Sequence, residues 1–366
     1  MDFSQLIYAL ALQHVPNLGD SNAKKLIRHC GSAEAVFKEK KQHLLKLDGI
    51  GKTRIADLQN AVHFKAAENE LKFIERNNIQ VSYFQEQDYP DKLKHCFDGP
   101  LLLFSRGNIK FDQQKMISIV GTRNITNHGV TFCEELVAEL APLNPVIVSG
   151  FAYGVDITAH RAAARNKLQT IGCLAHGLNQ IYPKAHRKYM QAIEENGGFC
   201  TDFWSTDKFD RNNFLKRNRI IAGLSEATIV IESAEKGGSL VTADLANSYN
   251  REVFAVPGRP GDNYSKGCNN LIKFQNAHVL TSAADLIYIL NWDLPASQKA
   301  VQKQLFVELE PEEEIIAQYL QNMGKAELDL IALNCKYPTF KAASVLLNME
   351  LKGLIRPLPG KLFELI

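Results

Sequence analysis

The chain has 366 residues, 45% of them hydrophobic, enough to bury a substantial core and more than a single domain usually holds. A formal net charge of +2 decides nothing about partners, so any nucleic-acid reading has to rest on local charge. No apolar run reaches membrane-spanning length, and an N-terminus with Asp2 ahead of its apolar run and no small-residue cleavage site argues against a secretory signal. The seven cysteines are scattered, with no C-x-x-C pair and no histidines at zinc spacing. They read as reduced thiols of a cytoplasmic protein, not as a disulfide framework or a metal site.

Residues 1–65 form the first unit, with ten Lys/Arg against six Asp/Glu. Val15–Ile27 and Leu47–Leu58 share one pattern: apolar-x-x-Gly, a short turn, then a helix with inward Leu/Ile. This resembles the tandem helix–hairpin–helix of DNA-repair proteins, in which glycine hairpins offer backbone N–H groups to a phosphate; Gly51 and Lys52 are the candidates here. Gly51-Lys52-Thr53 is not a P-loop, because position 46 is Lys and no strand precedes it. A helical module used only for protein contacts is the alternative for this unit.

Residues 66–115 are a lead-in: a helix over Ala66–Asn77, a strand over Ile79–Phe84, turns at Tyr89-Pro90 and Gly99-Pro100, and a buried strand over Leu101–Phe104. They are expected to add an edge to the sheet that follows. From Met116 the chain alternates strands and helices. Strands are expected over Met116–Val120, Pro145–Ser149, Thr170–Leu174, Phe199–Asp202, Ala227–Ile231, Glu252–Val256 and around His278–Leu280. Helices lie between them, over Val130–Leu140, Val155–Arg165, Arg187–Glu195, Asn213–Leu224, Leu240–Tyr249 and Asn269–Phe274, and a capping box at Ser282–Asp285 opens one more. Such alternation specifies an α/β fold, an extended Rossmann-like parallel sheet over 66–290.

Four turns rich in glycine fall at strand carboxyl ends: Gly121–Arg123, Ser149–Gly154, Gly237–Thr242 and Pro257-Gly258. Strand ends leading into helix N-termini present N–H groups and a positive dipole, which suits phosphates. A dinucleotide site is excluded, since Gly121 opens no G-x-G-x-x-G and Ser149-Gly150 stands where a ribose acid is needed. The segment Asp210–Ser225 places Lys216, Arg217 and Arg219 on a helix whose Phe214, Ile221 and Leu224 point inward. Phe151, Tyr153, Trp204 and Phe209 are expected near the same crevice. Guanidinium groups beside aromatic faces suit a single strand, with phosphates on Arg/Lys and bases stacked.

Residues 291–310 read as a linker. Residues 311–366 read as three helices (Glu312–Asn322, Ala326–Leu333, Thr339–Leu351) and a strand pair around Pro359-Gly360, which is a winged-helix outline. Its recognition helix has only Lys341 and Lys352 nearby, which favours a protein contact over sequence-specific duplex binding.

Taken together, Val120-Gly-Thr-Arg123, Ser149-Gly-x-Ala-x-Gly-x-Asp156, Phe214-x-x-Arg-Asn-Arg-Ile-Ile-Ala-Gly-Leu-Ser225, Gly238-Ser-Leu-x-Thr-Ala243, Val253-Phe-Ala-Val-Pro-Gly258 and Ser265-x-Gly-x-Asn-x-Leu-Ile272 follow one another in order. As a set they resemble the DprA (Smf) family of DNA-processing proteins of natural transformation, over roughly Tyr89 to Leu290. The resemblance implies a cytoplasmic, non-enzymatic homodimer, joined through its Rossmann-like domain. It implies binding and protection of incoming single-stranded DNA and loading of the RecA recombinase, with no cofactor and no membrane partner. Carried over, it assigns the strand to Gly121, Arg123, Ser149, Gly150, Phe151, Arg217, Asn218, Arg219, Gly238, Ser239 and Thr242, beside the Lys216 read from the basic helix. Three positions depart from the family pattern: Tyr153 for Arg, Thr201-Asp202 for Ser-Glu, and Gly237 for Ser.

An enzyme is the alternative. Gly237–Asp244 partly resembles the loop of Rossmann-like nucleotide phosphoribohydrolases, with Asp244 in place of the catalytic Glu but Leu240-Val241 in place of Gly-Thr. Asp156 and His160, i,i+4 on one helix, lack a third ligand and read as a helix-start cap and a packed histidine.

Overall fold

A computed structural model describes residues 3–113, 115–293, 309–352, 354–358 and 362–365. The chain divides into two compact units, Met1–Pro295 and Ala296–Ile366. Most of the expected linker and the turn at Pro359-Gly360 lie outside the described residues.

The first unit begins with helices α1 (Phe3–His14), α2 (Gly19–Cys30), α3 (Ala33–Lys38), α4 (Lys41–Leu44), α5 (Lys52–Ile55) and α6 (Val62–Arg76). The first hairpin is well formed, but the second joins helices of a single turn each. Helix α6, expected in the lead-in, packs along α1 instead, so the helical region extends to Arg76.

A nine-stranded sheet follows, formed by β1 (Gln80–Tyr83), β2 (Leu102–Gly107), β3 (Met116–Val120), β4 (Val146–Ser149), β5 (Thr170–Cys173), β6 (Gly197–Thr201), β7 (Ala227–Val230), β8 (Glu252–Ala255) and β9 (His278–Val279). Their order is β1-β2-β6-β5-β4-β3-β7-β8-β9. Strands β3 to β9 run parallel, while β1 and β2 add the antiparallel edge expected of the lead-in. The intervening helices are α7 (Asp91–Lys94), α8 (Asn127–Leu140), α9 (Val155–Arg165), α10 (Arg187–Glu195), α11 (Asn212–Leu224), α12 (Gly238–Ser248), α13 (Lys266–Lys273) and α14 (Ala283–Ile289).

Every residue of β3 is buried because both faces of the sheet are covered. Ile117 and Ile119 enter one core with α8 and α9, while Met116 and Val120 enter the other, which continues into the N-terminal helices. Ser282 and Asp285 form the expected capping box of α14. Trp292 is buried against this core, so the first unit runs past the expected boundary at 290. All seven cysteines are free. Among the described residues no helix is long and apolar enough to cross a membrane.

Three parts of the first unit meet at Arg219 on α11. Its guanidinium pairs with Asp20 of α2 at 2.9 Å and with Asp202 just after β6, and it donates to the Asp98 carbonyl. The second Asp20 oxygen accepts from the Leu101 N–H at 2.9 Å. The side chains of Arg219, Asp20 and Asp202 are 14%, 18% and 9% exposed, so each charge depends on the others for solvation.

The second unit contains α15 (Pro311–Met323), β10 (Lys325–Glu327), α16 (Leu328–Asn334), α17 (Thr339–Leu351), β11 (Ile355–Leu358) and β12 (Leu362–Leu365). The three strands pair in the order β10-β12-β11, which makes a winged helix; β10 falls where the sequence pattern predicts the start of a helix.

Removing Arg219 leaves the largely buried carboxylates of Asp20 and Asp202 without the guanidinium they share. Arg219→Ala is expected to lower the unfolding free energy by about 3–5 kcal/mol in urea titration. Arg356→Ala, which removes an arginine 61% exposed and paired with Glu364, should leave the first unit's unfolding midpoint unchanged.

Candidate nucleic-acid interface

Strand β3 leads on to β4 on one side, while the chain crosses back from β6 to β7 on the other. The carboxyl ends of β3 and β7 therefore flank the switch point where open α/β sheets bind ligands. A cavity of 420 Å³ opens there, lined by residues from both strand ends and from α11 and α12.

The wall after β3 is fixed by Glu232, just past β7. Its backbone carbonyl accepts from Thr122 N–H at 2.8 Å and its carboxylate from Thr126 N–H at 2.9 Å. Gly121 threads this junction: a Cβ there would sit 2.4 Å from Val155 and 2.9 Å from the Glu232 carbonyl. At Gly154 (φ +76°) a Cβ would meet the Thr122 carbonyl at 2.2 Å. The loop so held presents Arg123 outward, with its guanidinium 5.4 Å above the Phe214 ring.

Helix α11 supplies the floor. Phe214, Leu215, Asn218 and Ile221 recur at helical spacing on the cavity side, with Arg211 just ahead of them. Arg217, 4% exposed, donates to the carbonyls of Gly150 and Cys173 at the ends of β4 and β5, and its Nε has no partner among the described residues. Burial lowers its guanidinium from the ordinary value, and nearby Asp156 opposes that shift. Burial likewise raises the Asp156 carboxyl, against the pull of Arg217 and of the Ala152 N–H, which donates to it at 3.2 Å.

The N-terminus of α12 closes the site. Gly238 has open space where a Cβ would lie, Ser239 and Thr242 follow on the first turn, and Asn218 Nδ2 donates to the Gly238 carbonyl at 3.1 Å. Four cations, Arg123, Arg211, Arg217 and Lys236, thus line the cavity together with a helix N-terminus and, among the described residues, the single carboxylate of Asp156. This arrangement attracts a polyanion.

Of the residues singled out from sequence, Gly121, Arg123, Arg217, Asn218, Gly238, Ser239 and Thr242 meet in this cavity. Five others do not line it. Ser149 is fully buried and spends its hydroxyl on the Ile119 carbonyl at 2.6 Å. Gly150 lies beneath Arg217. Phe151 is 1% exposed, packed on Phe199, His186 and His160, and offers no stacking face. Lys216 and Arg219 turn to a second cavity of 690 Å³, where Arg219 is neutralised by Asp20 and Asp202. Trp204 is also buried, its Nε1 donating to Gln13 at 2.8 Å, whereas Tyr153 and Phe209 are exposed. Arg211 and Lys236 escape the sequence reading; the helical spacing from Arg211 to Asn218 and the lysine next to Gly237-Gly238 are the signals that could have found them.

Gly51 and Lys52 are exposed at the start of α5, but Arg54 and Lys25 turn onto the carbonyls of Gly49 and Asp48 in the same hairpin. Asp156 acts at the start of α9, and His160 Nδ1 lies 2.7 Å from the Thr170 hydroxyl. Among the described residues no group of His, Cys, Asp and Glu could hold a metal. Asp244 is exposed on α12 and does not line the cavity.

Residues 80–291 match the DNA recombination-mediator protein A family, and residues 303–361 match the DprA winged-helix domain. The chain belongs to the DprA/Smf family. It is 32% identical to Protein Smf of Escherichia coli over 303 residues, 81% of this chain and 80% of that one. It is 38% identical to the DNA processing protein DprA of Bacillus subtilis over 211 residues, 57% and 70% of the two chains. Among solved structures, DprA of Streptococcus pneumoniae superposes with a TM-score of 0.64 at 28% identity, covering 77% of this chain and 97% of that one. DprA of Helicobacter pylori, described for its single-stranded DNA binding mode, gives a TM-score of 0.52 at 31% identity over 58% and 96%. The DprA/Smf match covers the whole parallel sheet and every residue lining the cavity.

A Cβ at position 150 would lie 2.4–2.6 Å from the Arg217 guanidinium. Gly150→Ala is therefore expected to destabilise the first unit by about 1–3 kcal/mol in thermal unfolding. Burial, with His186 and Arg217 close by, pushes His160 down to about 3. Below the usual histidine value the unfolded chain takes up a proton that the folded chain refuses, so stability falls on acidification. Between pH 7.5 and 5 that decrease is about 2 kcal/mol, and His160→Gln should remove it from the pH slope of urea unfolding.

Proposed function

We propose that this chain is a non-catalytic mediator that binds single-stranded DNA in the cavity at the β3/β7 switch point, protects it and loads RecA on it. It does so in the cytoplasm as a homodimer joined through the Rossmann-like domain. The observation that carries this reading is the convergence of Arg123, Arg211, Arg217 and Lys236 with the open N-terminus of α12 on one cavity. Positive charge from side chains and helix dipole together matches a phosphodiester backbone, and the exposed Arg123 guanidinium, held over the Phe214 ring, offers a planar cation to a base. Membership of the DprA/Smf family, with a relative described as binding single-stranded DNA, supports the same ligand.

The winged helix fits a protein contact better than duplex DNA. Lys341 pairs with Glu312 and Lys352 with Glu313 at 2.7 Å, while Phe340 and Leu347 of α17 are exposed. A recognition helix with its cations neutralised and apolar side chains outward lacks the charge that holds phosphates.

Fluorescence anisotropy with single- and double-stranded oligonucleotides of one sequence tests the reading. The single strand should bind more tightly. Arg123→Ala or Lys236→Ala should weaken it and flatten the dependence of log K on log salt by about 0.7 for each phosphate no longer neutralised. Equal affinity for both forms, or an unchanged slope in both variants, overturns it.

A further inference from the structure

Outside the cavity, two loops at the same edge of the sheet bring together an aromatic group with no role in the core. Tyr182 lies on the loop after β5 and Phe209 on the loop after β6. Their ring centroids are 4.9 Å apart, and each is 5.7 Å from Phe214, which lines the cavity. Tyr182 and Phe209 are nonetheless 42% and 46% exposed. Buried Phe151 and Trp204 on neighbouring turns show that the fold can cover rings here.

The two loops are cross-tied. Asn179 Nδ2 donates to the Ser205 carbonyl at 2.8 Å and Gln180 Nε2 to the Asp207 carbonyl at 3.2 Å, so both ring-bearing loops are held in place before any ligand arrives. Lys184, Lys208 and Arg211 flank them, all exposed. The nearby carboxylates are occupied by backbone: Asp207 accepts from Trp204 N–H and Asp210 from Asn212 N–H, each at 2.8 Å.

We propose that Tyr182 and Phe209 form an exit subsite, continuous with the cavity through Phe214, that stacks the bases of a polynucleotide strand leaving it. The inference rests on the single-strand reading and deepens it. Rings held at fixed separation accept unpaired bases of any sequence, since every base has a π-face. A duplex keeps its bases stacked on one another and cannot use them. The subsite therefore contributes discrimination between single and double strands as well as affinity, whereas the cations of the cavity serve any phosphate backbone.

The test measures affinity for oligothymidylates from about 4 to about 20 nucleotides, with a duplex in parallel, for wild type and for Tyr182→Ala/Phe209→Ala. Wild-type affinity should rise with length beyond the strand that fills the cavity. The double variant should reach its plateau earlier, binding long strands about tenfold more weakly with short-strand and duplex affinity unchanged. Tyr182→Phe/Phe209→Tyr, which keeps both rings, should restore the wild-type length dependence. If the alanine variant does not fold, cross-linking of 5-bromodeoxyuridine-substituted strands to wild type decides, with adducts expected on Tyr182 or Phe209. Parallel length curves for wild type and the alanine variant, or cross-links confined to the cavity, overturn the exit subsite while leaving the cavity reading intact. A wild-type chain that binds no single strand at any length overturns both.

Discussion

The site depends on one buried cation. Arg217 has its guanidinium on the carbonyls of Gly150 and Cys173, where β4 and β5 run out of hydrogen-bonding partners. Strand carboxyl ends gather unpaired carbonyl oxygens, and a buried guanidinium satisfies several at once because its donors are fixed in a plane. The same interaction explains why position 150 is glycine, since any side chain would occupy the space of the guanidinium. Arg217 thus gives the cavity a charge that is rigid and largely dry. The exposed Arg123, Arg211 and Lys236 surround it with charges that bulk salt can screen.

Helix α11 uses its two sides differently. Arg217 and Asn218 serve the cavity, while Arg219 is locked to Asp20 and Asp202. Two arginines two residues apart point to different faces of a helix and meet opposite fates. Exposed Lys216 is left at the mouth of the second cavity.

Much of the fold was legible in the sequence. The alternation of β-branched runs and helical spacing located every parallel strand, and Val155–Arg165 and Thr339–Leu351 hold to the residue. The glycine turns located the cavity because tight strand-to-helix junctions leave no room for side chains. Burial was less legible. Phe151 and Trp204 look like stacking platforms in a linear pattern, yet both turn inward, one in the left-handed region at φ +61° and the other toward Gln13. The role of Arg219 was hidden because its partners lie 199 and 17 positions away in sequence. Long-range ion pairs leave no periodic trace. The short β10 was hidden for a related reason, since it gains its pairing from β12 near the end of the chain.

The ion pair between Arg219 and Asp20 also separates two meanings of a domain boundary. The match to the DNA recombination-mediator protein A family begins at residue 80, so on that match alone the N-terminal helices look like an accessory module. By electrostatics they are not, because Asp20 on those helices neutralises a buried charge within the shared region. Without those helices Arg219 would keep Asp202 as its partner, while the Leu101 N–H would lose the Asp20 carboxylate that accepts from it. The region that matches the family and the unit that packs together have different edges in this chain, and Asp20 lies in the strip between them.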